Sequence, residues 1–419
     1  MKIFKFGGSA LADMSGVQHL GEIMSSFSSE NILVIFSAAG KTTSALEKVA
    51  EVFYSGKKDQ ALALFEDIKT FHTTLARQLL ANSYNKALAH LSSFFTEVEW
   101  MLHDKPVRGF DYYYDQVVCT GELLSSYIVS SYFNEIGIAN QWLDVRDIIR
   151  TDNSFTSAVI DWDFTSRMAH SVVQDTRSQY NIIVTQGFIG STDENESTTL
   201  GPGGKDYSAA VFASILNATS LTLWKDVDGL LDADPGRFEG AASIAELNYN
   251  DAAGMAFYGS RVIDPKTIGT LQERNIPLLV RSFLDTSKPG TLVSQNVTRG
   301  RAIRILKEGQ VVVYLKSASA FMYEELAEQF FKLLRENRLI PKLVQIGAVN
   351  ITCCLDDQPA QIERFALAAS GFSEVQIEKG VTLLTILHGS EPLLQEMIHG
   401  KTVILTQQFE TTMHAVWRE

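Results

Sequence analysis

The first residues of the chain combine a cation with a turn that suits an anion. Lys5 lies in a short apolar segment, and Gly7, Gly8 and Ser9 follow it almost directly. Paired glycines let the backbone approach an anion closely, and free N–H groups at the start of a following helix bind phosphate oxygens. Lys5 could place a positive charge on the same phosphate. The pattern lacks the longer glycine-rich loop of a P-loop, and alone it is equally typical of an ordinary turn beside a surface lysine.

The strands and helices that must position these groups alternate from the N-terminus to Leu292. Four apolar runs end in small or polar residues, at 32–36, 181–187, 221–224 and 276–280. Such runs are typical of strands buried on both faces of a parallel sheet, and a helical pattern fills 44–102. The order predicts an α/β fold with an open, mostly parallel sheet, helices on both faces and a ligand at the carboxyl ends of the strands.

The pattern changes beyond Leu292. We expect strands at 310–315, 343–355, 403–407 and 412–417, two strand segments within 372–387, and helices at 321–337 and 393–398. This β-α-β-β-α-β rhythm, repeated imperfectly, predicts small α+β units of the ferredoxin-like type. We place the boundary near Val297, which gives a first domain over 1–296 and a second region over 297–419.

The composition limits the classes of function and location. The 419 residues exceed what one core usually organises, so two or three domains are expected. A net charge of −13 argues against a nucleic-acid or anionic-membrane partner, although a nucleotide site needs only local cations. Cys119, Cys353 and Cys354 give neither a disulfide framework nor a metal-ligand spacing. Lys5 and the glycines interrupt the apolar N-terminus, and no apolar run reaches membrane-span length, so we expect a cytoplasmic protein.

Six ordered groups of motifs resemble those of the aspartate kinases within the amino acid kinase family. They occur in the family's order and at about its spacing, between the N-terminus and Leu292. The motifs are KFGGS (5–9), SAAGKTT (37–43), GELLSS (121–126) with WLDVR (142–146), TQGFIG (185–190) with TTLGPGGKDYSAA (198–210), WKDVDG (224–229) with DP (234–235), and FYGSRVIDPKT (257–267). Any single motif is a weak signal, whereas the ordered set is specific.

The resemblance implies a phosphotransferase reaction with a carboxyl group as acceptor. The enzyme would move the γ-phosphoryl group of ATP to the side-chain carboxylate of L-aspartate and give 4-phospho-L-aspartate, the first step towards lysine, threonine and methionine. Because a carboxylate is already a nucleophile, the enzyme needs to position two anions and neutralise charge on the transferring group. Mg²⁺ would bridge the phosphates and take mostly water and phosphate oxygens, so no metal-binding residue is predicted.

The resemblance also implies roles for individual residues. Lys5 and Arg261 supply the cations for phosphoryl transfer, the arginine standing where the family usually has lysine. Glu122 and Asp206 occupy positions that bind the acceptor's ammonium, and we count Asp206 with the two cations as catalytic. Trp224 is interpreted as a packing residue rather than a platform for adenine. The nucleotide side is assigned to Gly7, Gly8, Ser9, Lys225, Asp226 and Asp234, and the acceptor side to Ser37, Thr42 and Glu122.

Besides Arg261, two positions of the catalytic region depart from the family pattern. Pro202 stands where the family has an arginine that clamps the acceptor's carboxylate, and proline offers neither charge nor an N–H group. Lys205 is a nearby cation that can replace it as a point charge, so we add it to the acceptor site. Asp264 replaces the usual histidine before Pro265. Three functions stay open: an active aspartate kinase, a kinase for another small acid, and a weakened paralogue that binds nucleotide or amino acid and regulates a partner.

The resemblance implies a regulatory role for the C-terminal region. In the family this region is a pair of ACT domains that hold an amino-acid effector, usually lysine. Here the segment 344–349 lacks the polar residues of that pocket. Because such a unit alone leaves a sheet edge and an apolar face open to water, we expect two chains to pair as a homodimer. The expected partners are the small-molecule acceptor, an effector and a second copy.

Overall fold

The computed structural model describes residues 1–260, 262–295, 297, 300–317 and 323–418. These residues form two compact units. The first contains 1–230, 243–249 and 263–297, and the second contains 231–242, 250–262 and the chain from 298 onwards. Two short segments from within 231–262 therefore belong to the second unit, although they precede Val297. The assignment of the units to catalysis and regulation stays a prediction.

The elements alternate as the sequence pattern indicates. The described strands are β1 (Lys2–Phe6), β2 (Ile32–Phe36), β3 (Asn140–Trp142), β4 (Ile182–Gln186), β5 (Ile189–Ser191), β6 (Ser197–Thr199), β7 (Ser220–Lys225), β8 (Leu230–Leu231), β9 (Ser243–Ile244), β10 (Glu246–Leu247), β11 (Leu278–Ser282), β12 (Thr291–Val293), β13 (Ile303–Lys316), β14 (Leu343–Ile346), β15 (Asn350–Asp356), β16 (Glu374–Leu387), β17 (Thr402–Phe409) and β18 (Thr412–Arg418). The described α-helices are α1 (Met14–Ser25), α2 (Thr42–Tyr54), α3 (Lys58–Leu79), α4 (Tyr84–His103), α5 (Phe110–Val118), α6 (Thr120–Glu135), α7 (Trp162–Arg177), α8 (Gly204–Ile215), α9 (Tyr249–Tyr258), α10 (Pro265–Gln272), α11 (Tyr323–Glu336), α12 (Pro359–Ala369) and α13 (Glu391–Ile398). Short 3₁₀ turns cover Gly8–Leu11 and Val145–Asp147.

The first unit is built on an open, mostly parallel sheet, which confirms the predicted fold class. Within the described chain its eight strands follow the order β10-β12-β11-β7-β1-β2-β4-β3. The five strands from β7 to β3 run parallel to one another, as does β11 to β7, whereas β12 is antiparallel to β11. Strand β2 is buried along its whole length, as its continuous apolar run requires.

The register of the central strands brings their carboxyl ends to one edge. Lys5 of β1 faces Ile35 on one side and Leu223 on the other. In the next row Phe6 faces both Phe36 and Trp224, and its ring stacks on Trp224 with centroids 5.6 Å apart and planes 5° apart. Trp224 is 1% exposed, so the structure confirms that it is a packing residue. Successive side chains of a strand point to opposite faces, so Lys5 lies on the face of the sheet opposite to this aromatic row.

The sequence pattern predicted one long helical stretch over 44–102, and this prediction was wrong in one respect. Within this fully described stretch the structure has three helices, α2, α3 and α4. Gly56 separates the first two with a φ of +80°, a left-handed conformation that suits glycine. The second break is stabilised by the carboxylate of Glu135, which accepts backbone N–H groups from Ala81, Asn82 and Ser83. The run 55–60, which contains Gly56 and no apolar side chain, was the sequence signal for the first break.

The second unit confirms the α+β character expected beyond Leu292. Its described strands form a six-stranded antiparallel sheet in the order β14-β15-β13-β16-β18-β17. Helices α11 and α12 contribute Phe330 and Phe365 to a core shared with Val313 and Cys353 of the sheet. Cys353, Cys354 and Cys119 are buried free thiols, as their sequence settings indicate. Within the described residues no helix is long and apolar enough to span a membrane.

Three expectations for the second unit were wrong. The strand expected over 343–355 is two strands, β14 and β15, which pair antiparallel across a turn. The region 372–387 forms the single strand β16, because Gly380 adopts a φ of +71° and the pairing with β13 shifts register around Gln310 instead of breaking. Helix α12 was missed, although Pro359 in its first turn is a recognised start signal. Helix α11 lies where a helix was expected, and the first two residues of that expectation, Phe321 and Met322, lie outside the described residues.

Candidate active site

The glycine turn after β1 is held against the loop after β2. A side chain at Gly8 would collide with the carbonyl oxygen of Ala38, so the two backbones can approach only because this residue is glycine. The N–H group of Gly40 donates to the carbonyl oxygen of Gly8 over 2.8 Å. Gly7 and Gly8 are partly exposed and Ser9 is exposed. The turn therefore presents backbone to solvent at the carboxyl edge of the sheet.

A buried carboxylate at this edge is shared by two lysines. Oδ1 of Asp206 lies 2.8 Å from Nζ of Lys5, and Oδ2 lies 2.7 Å from Nζ of Lys225. The side chain of Lys5 is only 4% exposed. Burial favours the neutral carboxyl group of Asp206, but the charges of Lys5 and Lys225 outweigh it and lower its pKa to about 2. Burial lowers the pKa of Lys5, and the Asp206 charge opposes that shift.

A second carboxylate, that of Glu122, lies deep beside the β2–α2 loop. Its side chain is fully buried, and Oε1 accepts the N–H group of Ala38 over 3.3 Å. Oε2 of Glu122 and Oγ of Ser37 are buried without a hydrogen-bond partner among the described residues. Burial raises the pKa of Glu122 to about 6, and the charge of Lys205 opposes this shift. A buried acceptor without a donor is costly, so these atoms indicate a polar ligand.

Lys205 lies beside Glu122, and its own role in the acceptor site stays a prediction. Its Nζ donates to Oγ1 of Thr43 over 2.9 Å and lies 3.7 Å from Oε1 of Glu122. It also lies 5.6 Å from the ring centroid of Phe188. Thr43 was missed by sequence reasoning, which selected its neighbour Thr42. The hydroxyl of Thr42 instead lies 3.5 Å from Nε2 of the buried His72, and its role toward the acceptor stays a prediction.

The glycine loop before α8 needs its unusual backbone. Gly201 and Gly203 have φ values of +74° and +78°, and a side chain at Gly203 would collide with the carboxylate of Asp264. Asp264 caps α10 by accepting the N–H group of Lys266 over 2.9 Å. Pro202 is exposed between the two glycines. The loop therefore starts α8 in a fixed place, with Lys205 and Asp206 in its first turn.

Two serines that sequence reasoning passed over hold the loops of the site. Oγ of Ser125 accepts the N–H group of Ala39 over 2.8 Å. Oγ of Ser208 accepts the N–H group of Phe188 over 3.0 Å, where Phe188 has a φ of +73°. Ser125 lies in the motif GELLSS (121–126) and Ser208 in the motif TTLGPGGKDYSAA (198–210). Their places in these motifs were the signal that could have identified them.

The remaining predicted residues are not brought into this cluster. Asp226 follows β7 and is exposed. Asp234 lies in the second unit, where its carboxylate accepts the N–H group of Gly236 over 2.8 Å. Arg261 lies outside the described residues. Among the described residues, no group of three or more His, Cys, Asp and Glu side chains is arranged to hold a metal ion.

The geometry therefore separates two chemical environments. On one side two lysines converge on a buried carboxylate next to a glycine turn, an arrangement that suits phosphate groups. On the other side Glu122 and Ser37 offer buried oxygen atoms, with Lys205 beside them. This second set suits a small molecule that carries an ammonium and a carboxylate.

The chain is similar to a protein-family model and to several known proteins. The family model described as "amino acid kinase family" matches residues 1–282. The chain is 28% identical to lysine-sensitive aspartokinase 3 of Escherichia coli (strain K12) over 398 residues, 92% of this chain and 86% of that protein. It is 31% identical to the chloroplastic bifunctional aspartokinase/homoserine dehydrogenase 1 of Zea mays over 296 residues, 70% of this chain. The matched region spans about a third of that plant protein's length, 32%.

Solved structures show the same fold over the whole chain. E. coli aspartokinase III in complex with aspartate and ADP aligns with a TM-score of 0.87 at 23% identity, covering 100% of this chain and 96% of the other. The same enzyme in complex with lysine and aspartate aligns with a TM-score of 0.80 at 24% identity. The fold of both units is therefore shared with these structures.

Proposed function

The chain belongs to the amino acid kinase family, and from this premise we propose that it is an aspartate kinase. It transfers the γ-phosphoryl group of ATP to the side-chain carboxylate of L-aspartate and releases ADP and 4-phospho-L-aspartate. The observation that carries the proposal is the convergence of Lys5 and Lys225 on buried Asp206, beside a carboxylate that has an unpartnered oxygen.

The lysines supply what phosphoryl transfer needs from the protein. An oxygen of the acceptor carboxylate forms a bond to the γ-phosphorus as the bond from that phosphorus to the β-phosphate oxygen breaks. No proton has to be removed, because the acceptor carboxylate is already ionised. Lys5 and Lys225 neutralise charge that develops on the phosphoryl oxygens, and Asp206 holds both ammonium groups in place beforehand.

The acceptor side favours an amino acid over a simple carboxylic acid. Oε2 of Glu122 and Oγ of Ser37 are buried oxygen atoms without a donor among the described residues, and an ammonium group has three donors to offer. The relatives named aspartokinase and the aspartate complex of the E. coli fold neighbour support aspartate as that acceptor.

The nucleotide is assigned to the glycine turn. Gly7, Gly8 and Ser9 lie at the same sheet edge as Lys5, and MgATP enters the reaction as a substrate that brings its own magnesium ion. Roles for Asp226, Asp234, Arg261 and Thr42 remain predictions from the resemblance. The ADP complex of the E. coli fold neighbour supports a nucleotide site in this fold.

The second unit is proposed to regulate the first. Its antiparallel sheet with helices on one face agrees with ACT-type domains, and the E. coli relative is named lysine-sensitive. We extend the proposal to a cytoplasmic homodimer that binds an amino-acid effector. Sedimentation at micromolar concentration tests the dimer, which a monomer at that concentration would refute.

An ADP-release assay tests the proposed reaction. The wild-type protein is given MgATP with L-aspartate, L-glutamate, N-acetylglutamate or carbamate, and we expect turnover with L-aspartate above all others. Turnover with a different acid would identify another amino acid kinase. The absence of turnover with every acid would favour the regulatory paralogue. The observation that favours this alternative is Pro202, which stands where the family has the arginine that clamps the acceptor's carboxylate.

A further inference from the structure

Two consecutive residues in the first turn of α8 direct opposite charges to different parts of the site. Asp206 contacts Lys5 and Lys225, whereas Lys205 contacts Thr43 and lies near Glu122. Consecutive side chains on a helix diverge by about 100°, because the helix has 3.6 residues per turn. One helical turn thus separates a phosphoryl side from an acceptor side.

The ammonium of Lys205 has capacity left for another partner. Within the described part of the chain, its Nζ forms one hydrogen bond, to Oγ1 of Thr43, and the 3.7 Å to Oε1 of Glu122 is too long for a second. An ammonium group has three donors. The side chain is 36% exposed, so an entering molecule can reach it, whereas the Glu122 side chain is fully buried.

The spacing of these two charges matches an α-amino acid. The ammonium and carboxylate of an α-amino acid are attached to one carbon atom, so their binding groups must be neighbours. Glu122 has a buried oxygen that needs a donor, and Lys205 next to it has donors to give. Neither residue serves the phosphoryl side, where Asp206 already pairs with the other two lysines.

We propose that Lys205 binds the α-carboxylate of the acceptor while Glu122 binds its ammonium, which makes Lys205 the residue that selects an α-amino acid. This inference rests on the proposed function and identifies how the same site recognises its substrate. Binding through both α-groups leaves the side-chain carboxylate free to face the phosphoryl side, where Lys5 and Lys225 lie.

The test compares two acceptors that differ only in the α-group. L-Isoasparagine keeps the ammonium and the side-chain carboxylate of L-aspartate but has an uncharged amide in place of the α-carboxylate. Lys205→Met should raise KM for L-aspartate about 10- to 100-fold, as expected for losing a hydrogen bond to a charged group. The same substitution should change KM for L-isoasparagine less than about 2-fold. The variant should therefore no longer prefer L-aspartate over L-isoasparagine as wild type does.

Three further measurements separate this role from others. KM for MgATP and the thermal unfolding midpoint of Lys205→Met should match wild type, because the residue serves neither the nucleotide nor the core. Lys205→Arg keeps the charge and should retain part of the discrimination. Lys48→Met is the matched control, since Lys48 is an exposed lysine on α2 that pairs with Glu51 over 3.0 Å, and it should change nothing.

Several outcomes would overturn the inference. They are equal binding of both acceptors by wild type, an unchanged KM for L-aspartate in Lys205→Met, an equal loss for both acceptors, or a raised KM for MgATP. Calorimetric titration of the two acceptors gives the same comparison without turnover. Failure of the proposed kinase reaction is therefore distinguishable from failure of this inference.

Discussion

The ammonium of Lys5 lies 2.8 Å from a carboxylate oxygen of Asp206, and both side chains are almost completely buried. Lys225 occupies the other oxygen of the same carboxylate, so two cations share one anion. The cluster therefore keeps an excess of positive charge at the carboxyl ends of β1 and β7. A buried charge without full compensation is unfavourable unless a ligand completes it, and phosphate groups carry the required negative charge.

Replacing Lys5 with alanine should lower kcat by about 100-fold or more, because a cation that stabilises the transferring phosphoryl group is lost. KM for L-aspartate should change much less, since the acceptor side lies around Glu122. Steady-state ADP release measures both constants, and circular dichroism checks the fold. Lys2→Ala is the matched control, because Lys2 lies on the same strand but forms a surface ion pair with Glu30. An unchanged kcat in Lys5→Ala would remove Lys5 from the proposed mechanism.

Replacing Asp206 with asparagine should lower the free energy of unfolding at pH 7 by about 3 kcal/mol, because the variant leaves buried cations without their anion. The pKa of Asp206 is lowered to about 2, so the ionised pair contributes stability above the unfolded pKa of about 4. That contribution is lost as the pH falls from about 4 towards 2. Urea unfolding should therefore show a large difference between wild type and Asp206→Asn at pH 7 and a small one near pH 2.

The surface carboxylate Asp228 provides the control for this experiment. It pairs with Lys288 over 2.5 Å, and both side chains are nearly half exposed. Exposed pairs contribute about 0–1 kcal/mol, so Asp228→Asn should change the unfolding free energy little at either pH. A loss in Asp206→Asn no greater than in this control would show that the buried cluster does not stabilise the fold.

The sequence was sufficient for the features that depend on periodicity and order. Apolar runs predicted the parallel sheet, and the ordered motifs predicted membership of the amino acid kinase family, which is confirmed. Lys5 was expected at the carboxyl edge because it precedes a glycine turn at the end of a strand. These features depend on the spacing of apolar residues and on the order of motifs, and both can be read directly from a sequence.

The details that the sequence did not show depend on the direction of side chains and on irregularities that a strand tolerates. Thr42 and Thr43 are adjacent, and only the orientation of α2 decides which hydroxyl meets Lys205. Lys225 was assigned to the nucleotide side, and the structure also pairs it with Asp206. This pairing depends on how α8 packs against β7. Gly380 looks like a strand end in the sequence, yet β16 continues through it because its partner strand shifts register.

Acceptor binding should weaken as the pH falls through about 6. Burial raises the pKa of Glu122 to about 6, with Lys205 opposing, so this carboxylate takes up a proton well above the usual range for glutamate. Protonation removes the negative charge that binds the acceptor's ammonium. KM for L-aspartate should therefore rise below pH 6 in wild type, as measured over pH 5 to 8.

Glu122→Gln tests the assignment of that inflection. The variant cannot ionise at this position, so its KM should be high at every pH and lack the rise below pH 6. KM for MgATP serves as the internal reference, since Glu122 lies on the acceptor side. An inflection that persists in Glu122→Gln would assign the pH dependence to another group.

Arginine at position 202 should strengthen acceptor binding. Pro202 is exposed between two glycines with positive φ, and it contributes neither charge nor a donor. Pro202→Arg adds a guanidinium group suited to a carboxylate, so KM for L-aspartate should fall several-fold. Pro202→Ala controls for loss of the rigid ring, which by itself costs up to about 1 kcal/mol of stability. A KM in Pro202→Arg no lower than in Pro202→Ala would contradict a clamp at this position.

Inhibition by lysine should be weak or absent. The β14–β15 turn presents Ile346 and Val349 to solvent, at 39% and 36% exposure, and neither offers a hydrogen bond to an ammonium or a carboxylate. Gly347 donates its N–H group to the carbonyl oxygen of Asn350 over 2.8 Å, and a side chain there would collide with the Asn350 amide oxygen. The N–H group of Gly347 is therefore already used within the turn, which leaves backbone groups of Gln345 and Ala348 to bind an effector. Titrating the ADP-release assay with lysine should give less than half-maximal inhibition at 1 mM, with threonine and methionine as parallel titrations, whereas strong inhibition at sub-millimolar lysine would show that other residues of the second unit form the effector site.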